Sequence, residues 1–175
     1  MLALSDLRKF AKVELWDKEE LMHSDYFKAL GPEPLEKSFT LANFKKAIKI
    51  KKGKIKQVLM DQSVIAGIGN IYSDEILWSA KIHPLRLIED LEDKDFKRMY
   101  LAMKKILKIA IKDRGESISD YRTPAGEKGR FDRHRMVYRR EKEPCPRCKE
   151  PIKRLKIGGR SAHYCPKCQR ISKIQ

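Results

Sequence analysis

The chain's 175 residues are enough for one ordinary domain or two small ones, and a 41% apolar content can furnish a core. Charged residues make up 37% and leave a net charge of +16, unevenly spread: residues 122–175 hold 17 Lys/Arg against 5 Asp/Glu, whereas residues 1–121 hold 23 against 19. A basic block at one end predicts a polyanionic partner, whether nucleic acid, an anionic membrane surface or an acidic protein. The absence of any long apolar run or leader predicts a soluble cytoplasmic protein, nucleoid-associated if prokaryotic.

Residues 2–16 come first, with short apolar stretches around a Ser5-Asp6 turn and an alternation of Ala11, Val13 and Leu15 with Lys12, Glu14 and Trp16 that predicts a strand or hairpin. Nothing strand-like follows nearby, and an isolated hairpin is marginal in water. This piece is therefore expected to be the remnant of a sheet that is missing or supplied by another chain. Gly31-Pro32-Glu33-Pro34 predicts a loop. Thr40 then caps a helix that turns Leu41, Phe44 and Ile48 inward and Lys45, Lys46 and Lys49 outward. Seven lysines and no acid lie between Lys45 and Lys56, which makes a solvated face or a polyanion contact.

Ile55, Val58 and Leu59 mark a short helix that leads into the turn Gly67-Ile68-Gly69 and a second helix opening on Asn70. Along it Ile71, Tyr72, Glu75, Ile76 and Ala80 recur at helical spacing, and His83-Pro84 stops it. A Gly-x-Gly turn lets backbone approach a ligand, and the helix end behind it offers unpaired N–H groups and partial positive charge. Its natural ligand is a phosphate. Helix, glycine turn and helix together form a known nucleic-acid-binding unit.

The longest helix starts at Asp93 and carries Phe96, Met99, Tyr100, Met103, Ile106, Leu107 and Ala110 on one face, as core residues, up to Arg114-Gly115. From Glu116 to Arg140 the periodicity vanishes; Arg130, Arg133, Arg135, Arg139 and Arg140 make this long loop either a backbone clamp or a basic linker.

Cys145-Pro-Arg-Cys148 and Cys165-Pro-Lys-Cys168, sixteen residues apart, are two Cys-x-x-Cys knuckles with the spacing that wraps four thiolates around one ion. Zinc is the expected metal, with iron as the alternative. Gly158-Gly159 supplies the tight turn of a β-hairpin between the knuckles, with Arg160 at its tip. Four thiolates fill the coordination sphere, so the ion is structural, and His163 is expected to be a surface or packing residue rather than a fifth ligand.

Three segments together resemble formamidopyrimidine-DNA glycosylase and its endonuclease VIII relatives: KQVLMDQSVIAGIGNIYSDEILWSAKIHP from Lys56 to Pro84, SISDYRTPAGEKGRF from Ser117 to Phe131, and the cysteine hairpin with GGRSAHYCPKCQ. SDLRKF near the start joins them, so the resemblance runs through nearly the whole chain in order. It implies a mainly α architecture. Residues 1–20 would be a remnant of an N-terminal β-sandwich, residues 21–140 a helix–two-turn–helix domain with a base-capping loop at 115–133, and residues 141–175 a zinc finger with one structural Zn2+.

The resemblance further implies an enzyme that excises oxidised purines from double-stranded DNA and cleaves the backbone at the abasic site. Asn70, Arg160 and Lys56 would bind phosphates, with Lys56 on the family's lysine facing the damaged nucleotide. Arg8 and Phe10 would enter the helix to read the partner base and fill the vacated stack, and Ser117, Ser119 and Tyr121 would lie in the loop closing over the extruded base. The family's Met-Pro-Glu start, whose proline amine is the nucleophile, is replaced by Met1-Leu2-Ala3, and no proline precedes Pro32. The expectation is a chain without catalytic residues of its own that binds damaged or abasic DNA, with a separate polypeptide as one source of the sandwich. A non-catalytic zinc-ribbon nucleic-acid-binding module is the competing reading.

Overall fold

A computed structural model describes residues 13–116 and 126–171. Their elements in chain order are α1 (Lys18–His23), α2 (Asp25–Lys28), α3 (Leu41–Lys49), α4 (Ile55–Leu59), α5 (Asn70–Ala80), α6 (Asp93–Lys112), a 3-10 turn (Phe131–His134), β1 (Lys153–Ile157) and β2 (Arg160–Tyr164). Mainly α with one antiparallel hairpin is the class that the sequence predicts.

Helices α3 to α6 build one core. Phe44 and Ile48 from α3, Ile55 and Leu59 from α4, Ile76 and Leu77 from α5, and Phe96, Met99 and Met103 from α6 meet there with Ile65 and Ile68 of the intervening turn, all essentially buried. Each such side chain contributes about 1.5–3 kcal/mol relative to an exposed one. Local chemistry sets the helix starts: the Thr40 hydroxyl accepts from Asn43 N–H at 3.3 Å, and the Asp95 carboxylate accepts from Glu92 N–H at 3.1 Å as half of a capping box. Asp95 is buried and also pairs with Arg86 at 2.8 Å and with Arg98.

At the other end of α6, Arg114 and Gly115 adopt positive φ angles of 58° and 80°, and Gly115 N–H reaches back to the Ala110 carbonyl at 2.7 Å. The chain returns beside this end, where Arg130 N–H donates to the Asp113 carbonyl (2.8 Å) and Phe131 N–H to that of Gly115 (3.1 Å). Strands β1 and β2 pair with Ile157 opposite Arg160, closed by Gly158 and Gly159 at φ 53° and 78°, angles that only glycine adopts cheaply.

The N-terminal strand expectation fails where it can be seen. Val13 to Asp17 have no regular structure, Leu15 is fully exposed, and α1 and α2 bury no residue. Among the described residues no second strand lies alongside to pair with this segment, and alternation alone does not hold an extended chain. Residues 1–12, with the expected Ala11 position, lie outside the described residues. No described helix is long and apolar enough to cross a membrane.

Candidate nucleic-acid interface and metal centre

The turn before α5 is fixed by one side chain. The Gln62 amide Nε2 donates to the carbonyls of Met60 (3.0 Å) and Ile68 (2.9 Å), while its Oε1 accepts from Gly67 N–H (2.8 Å). Gly67 sits at φ 82°, and a Cβ at Gly67 or Gly69 would meet nothing within 4 Å, so the outer side of the turn is open to an approaching group. Gly69 is the N-cap of α5 and provides no side-chain cap, and no acid lies in the first turn. This differs from α1, α2 and α3, whose ends are closed by Asp17, Ser24 and Thr40. Half-buried Asn70 begins the helix, with its amide Oδ1 buried and unpartnered. An uncapped helix end with a polar side chain at its first position suits an anion.

Arg160 is exposed at the first position of β2, beside the glycine turn, as expected. The tip of this hairpin lies over α4: a Cβ at Gly158 would come within 2.6 Å of the Gln57 amide nitrogen.

Lys56 is placed differently from the expectation of a phosphate contact. It is completely buried; its ammonium pairs with Asp74 and donates to the Ser161 carbonyl at 3.0 Å. Burial lowers its pKa and the Asp74 carboxylate opposes that shift. In this arrangement the ammonium is spent inside the protein and does not face a nucleic-acid backbone. His163, expected at the surface or in packing, is a packing residue: only 5% exposed, its ring edge-on to Tyr138 at 5.0 Å and its Nδ1 3.0 Å from Asp74 Oδ2. Of the arginines in the 130–140 stretch, Arg140 is tied to Glu143 and to the carbonyls of Arg135 and Met136, and Arg135 lies 3.6 Å from Glu116. Arg130, Arg133 and Arg139 remain exposed. Arg8, Phe10, Ser117, Ser119 and Tyr121 lie outside the described residues.

The four sulfurs of Cys145, Cys148, Cys165 and Cys168 lie within 4.8 Å of one another, with pairs at 3.4 Å (Cys148–Cys165, Cys148–Cys168) and 4.0 Å (Cys145–Cys168). A tetrahedron with metal–sulfur bonds of about 2.3 Å has edges of about 3.8 Å, so these residues fit one zinc ion. The backbone around them is secured: Cys145 N–H donates to the Glu150 carbonyl and Lys149 N–H to the Cys145 carbonyl, both at 2.9 Å. The buried Gln169 side chain accepts from Cys165 N–H (2.9 Å) and donates to the Ile82 carbonyl (2.8 Å) at the end of α5. Burial raises the Cys165 thiol to about 12 and also raises Cys168. Burial acts the same way on Cys145, but the Trp78 indole N–H and the backbone N–H groups of Arg147 and Cys148 outweigh it and bring that thiol to about 6. A bound divalent cation would hold all four as thiolates.

Sequence reasoning missed how α5 binds the metal lobe. The buried Glu75 carboxylate accepts three successive backbone N–H groups, from Met136 (2.9 Å), Val137 (3.0 Å) and Tyr138 (2.9 Å), which pins the chain entering that lobe. Arg147, from the first knuckle, stacks 4.1 Å over the Trp78 ring and donates to the Trp78 carbonyl (3.2 Å) near the end of α5. The signal available was an acid within an otherwise apolar helical stripe, since Glu75 falls in register with Ile71, Tyr72 and Ile76.

Comparison with known proteins places these features. The family description "Formamidopyrimidine-DNA glycosylase H2TH domain" matches residues 30–122, and "Zinc finger found in FPG and IleRS" matches residues 142–171. A formamidopyrimidine-DNA glycosylase of Desulforamulus reducens is 40% identical over 97% of this chain and 61% of its own length. One from Herpetosiphon aurantiacus is 43% identical over 96% and 61%. Among solved structures, the complex between the Lactococcus lactis Fpg and an abasic-site-containing DNA superposes with a TM-score of 0.87 at 35% identity, over 95% of this chain and 61% of that one. The MutM (Fpg) protein of Thermus thermophilus superposes with a TM-score of 0.77 at 39% identity, over 82% and 55%. The chain thus spans about three fifths of the length of the relatives it matches.

Proposed function

The chain belongs to the formamidopyrimidine-DNA glycosylase family, and on that premise we propose that it is the DNA-holding part of a base-excision enzyme that removes oxidised purines and then cleaves the abasic strand. The observation that carries this reading is the pairing of an open, uncapped α5 end at Asn70 with a cationic hairpin end at Arg160 mounted on the same helix. Two such groups suit the phosphates on either side of one turned-out nucleotide, contacts that position a duplex without reading its sequence. Exposed arginines at 130, 133 and 139 would extend the electrostatic footprint. Arg8 and Phe10 are proposed to fill the gap in the base stack, and the loop carrying Ser117, Ser119 and Tyr121 to close over the extruded base.

The polypeptide of these 175 residues is proposed to bind without excising. Its first proline is Pro32, inside the chain, where the nitrogen is an amide and no nucleophile. Chemistry would come from a β-sandwich outside these residues, carried on the same longer protein or on a second chain. Fluorescence anisotropy on duplexes with and without an abasic analogue, paired with borohydride trapping, tests both parts. Tighter binding to the abasic duplex and no trapped adduct are expected. Equal affinity for the two duplexes would favour a plain nucleic-acid-binding module, and an efficient adduct would refute the assignment of chemistry to another segment.

A further inference from the structure

Asp74 takes no part in the phosphate grip described above, yet its carboxylate is fully committed. One oxygen accepts from the Lys56 ammonium, and the other accepts from His163 backbone N–H at 2.9 Å and lies 3.0 Å from His163 Nδ1. Lys56 in turn donates to the Ser161 carbonyl at 3.0 Å. Asp74, Lys56 and His163 are all buried.

Ser161 C=O and His163 N–H stand on either side of Ala162 along β2, whose other edge is occupied by β1. Engaging the carbonyl of one residue and the N–H two positions later is what one residue of an adjoining parallel strand does. The ion pair therefore substitutes for a third strand along an edge that would otherwise be unpaired in a two-stranded sheet. A register slip of one residue would turn these backbone groups toward β1 and leave the ammonium and carboxylate without partners.

A buried ion pair is a poor source of net stability, since apolar residues of similar volume often do as well. What this pair supplies is direction, and two residues of the proposed grip depend on it. Arg160 immediately precedes Ser161. Asn70 lies four residues before Asp74 on α5, about 6 Å along the axis.

We propose that Asp74, acting with Lys56, is a positioning residue of the DNA clamp: it fixes the hairpin on α5 so that Arg160 and Asn70 reach one strand at a set separation. This rests on the proposed function, and it accounts for a buried lysine in a protein that needs cations at its surface.

The test is a double-mutant cycle on the 175-residue polypeptide between the paired replacement Lys56→Met/Asp74→Leu and Arg160→Ala, read as affinity for an abasic duplex over a range of salt. The paired replacement removes both charges and keeps the site filled, so zinc content and far-UV helix signal should match the parent. Affinity should fall at least tenfold, and the salt slope by about one unit, the mark of one lost phosphate contact. Adding Arg160→Ala should then cost little more, because the arginine is already misplaced. Parental affinity in the paired variant would overturn the proposal. So would losses that multiply and a slope that falls by two, which would make Lys56 a phosphate contact in its own right. A parent that binds no duplex would sink the functional reading itself, a result distinct from either.

Discussion

The helical lobe and the zinc lobe solve the same problem with different means. The first closes around a continuous apolar core from Phe39 to Leu107. The second has Val137, Ile152 and two cysteines as its buried cluster, with Trp78 of α5 packed against it. Apolar burial suffices for the one, whereas the other depends on a metal and on side chains lent by α5: Asp74 to β2, Glu75 to the entering chain, Trp78 to the first knuckle. One helix thus carries the open N-terminus proposed for DNA and, within its next turns, three side-chain tethers to the second lobe, with Lys56 of α4 adding a fourth. The lobes are unequal partners, and perturbations should propagate from the helical side outward.

Removing the metal should have the largest effect. Structural zinc is worth about 10–16 kcal/mol in peptides of this kind, far more than the small apolar cluster could replace. Chelation should expose the amides of residues 153–164 to hydrogen exchange and abolish DNA binding, while the helical circular-dichroism signal persists. Loss of that signal in step with the metal would break the comparison, because it would show a helical core that cannot stand by itself.

Glu75 comes next. Truncation to alanine leaves three backbone N–H groups at residues 136–138 without an acceptor, at a cost of about 3 kcal/mol or more. Although the residue belongs to α5, the damage should appear across the interface: urea unfolding monitored in the zinc lobe should shift to lower midpoint, and amides 136–138 should exchange fast. A change confined to α5 would mean that the carboxylate serves its own helix.

Much of the helical lobe was legible in the chain because its causes are local. Thr40 as a cap, the apolar stripe from Phe96 to Ala110 and the glycine turn before Asn70 all act within a few residues of themselves. The cysteine spacing was legible for the same reason. The burial of Lys56 and Asp74 was not, and His163 was left between surface and packing, because what buries them is the meeting of segments up to 107 residues apart in the chain. In sequence, a lysine at the end of a lysine run and an acid in a helix both look like surface residues. The strand expected around Val13 failed for a related reason: a strand is defined by its partner.

The seam between the lobes should also set part of the acid sensitivity. His83 follows α5 in the chain, accepts from Leu85 N–H at Nδ1 (3.2 Å) and packs edge-on against Tyr164 of β2 at 4.5 Å. Burial lowers its pKa from 6.5 to about 4. The unfolded chain therefore takes up a proton first as pH falls, and stability, complete above 6.5, is lost progressively down to about 4. Full traverse of that window is worth about 3 kcal/mol. His83→Asn keeps an acceptor near the Nδ1 position but does not titrate, so the stability difference between pH 7 and pH 4.5 should shrink in the variant. Protonation of zinc thiolates acts on both proteins and drops out of the difference; an unchanged pH dependence would place the acid-labile point away from the seam.

The smallest effect predicted is the most local. Trp78 faces the metal lobe with its indole N–H buried and unpartnered, close enough to Cys145 to lower that thiol. A donor left orphaned in an apolar cluster costs stability unless the sulfur it faces carries charge, and zinc ligation supplies that charge. With zinc bound, the N–H would donate to the Cys145 thiolate, a contact of the kind whose loss typically weakens metal binding 10- to 100-fold. Trp78→Phe deletes the N–H and leaves a ring for Arg147 to stack on, so zinc transfer to a chromogenic chelator should speed up about tenfold, or about 1.4 kcal/mol, with the fold intact. If zinc release keeps its parental rate, α5 contributes only packing at this end, and its polar hold on the second lobe reduces to Asp74, Glu75 and the backbone carbonyls.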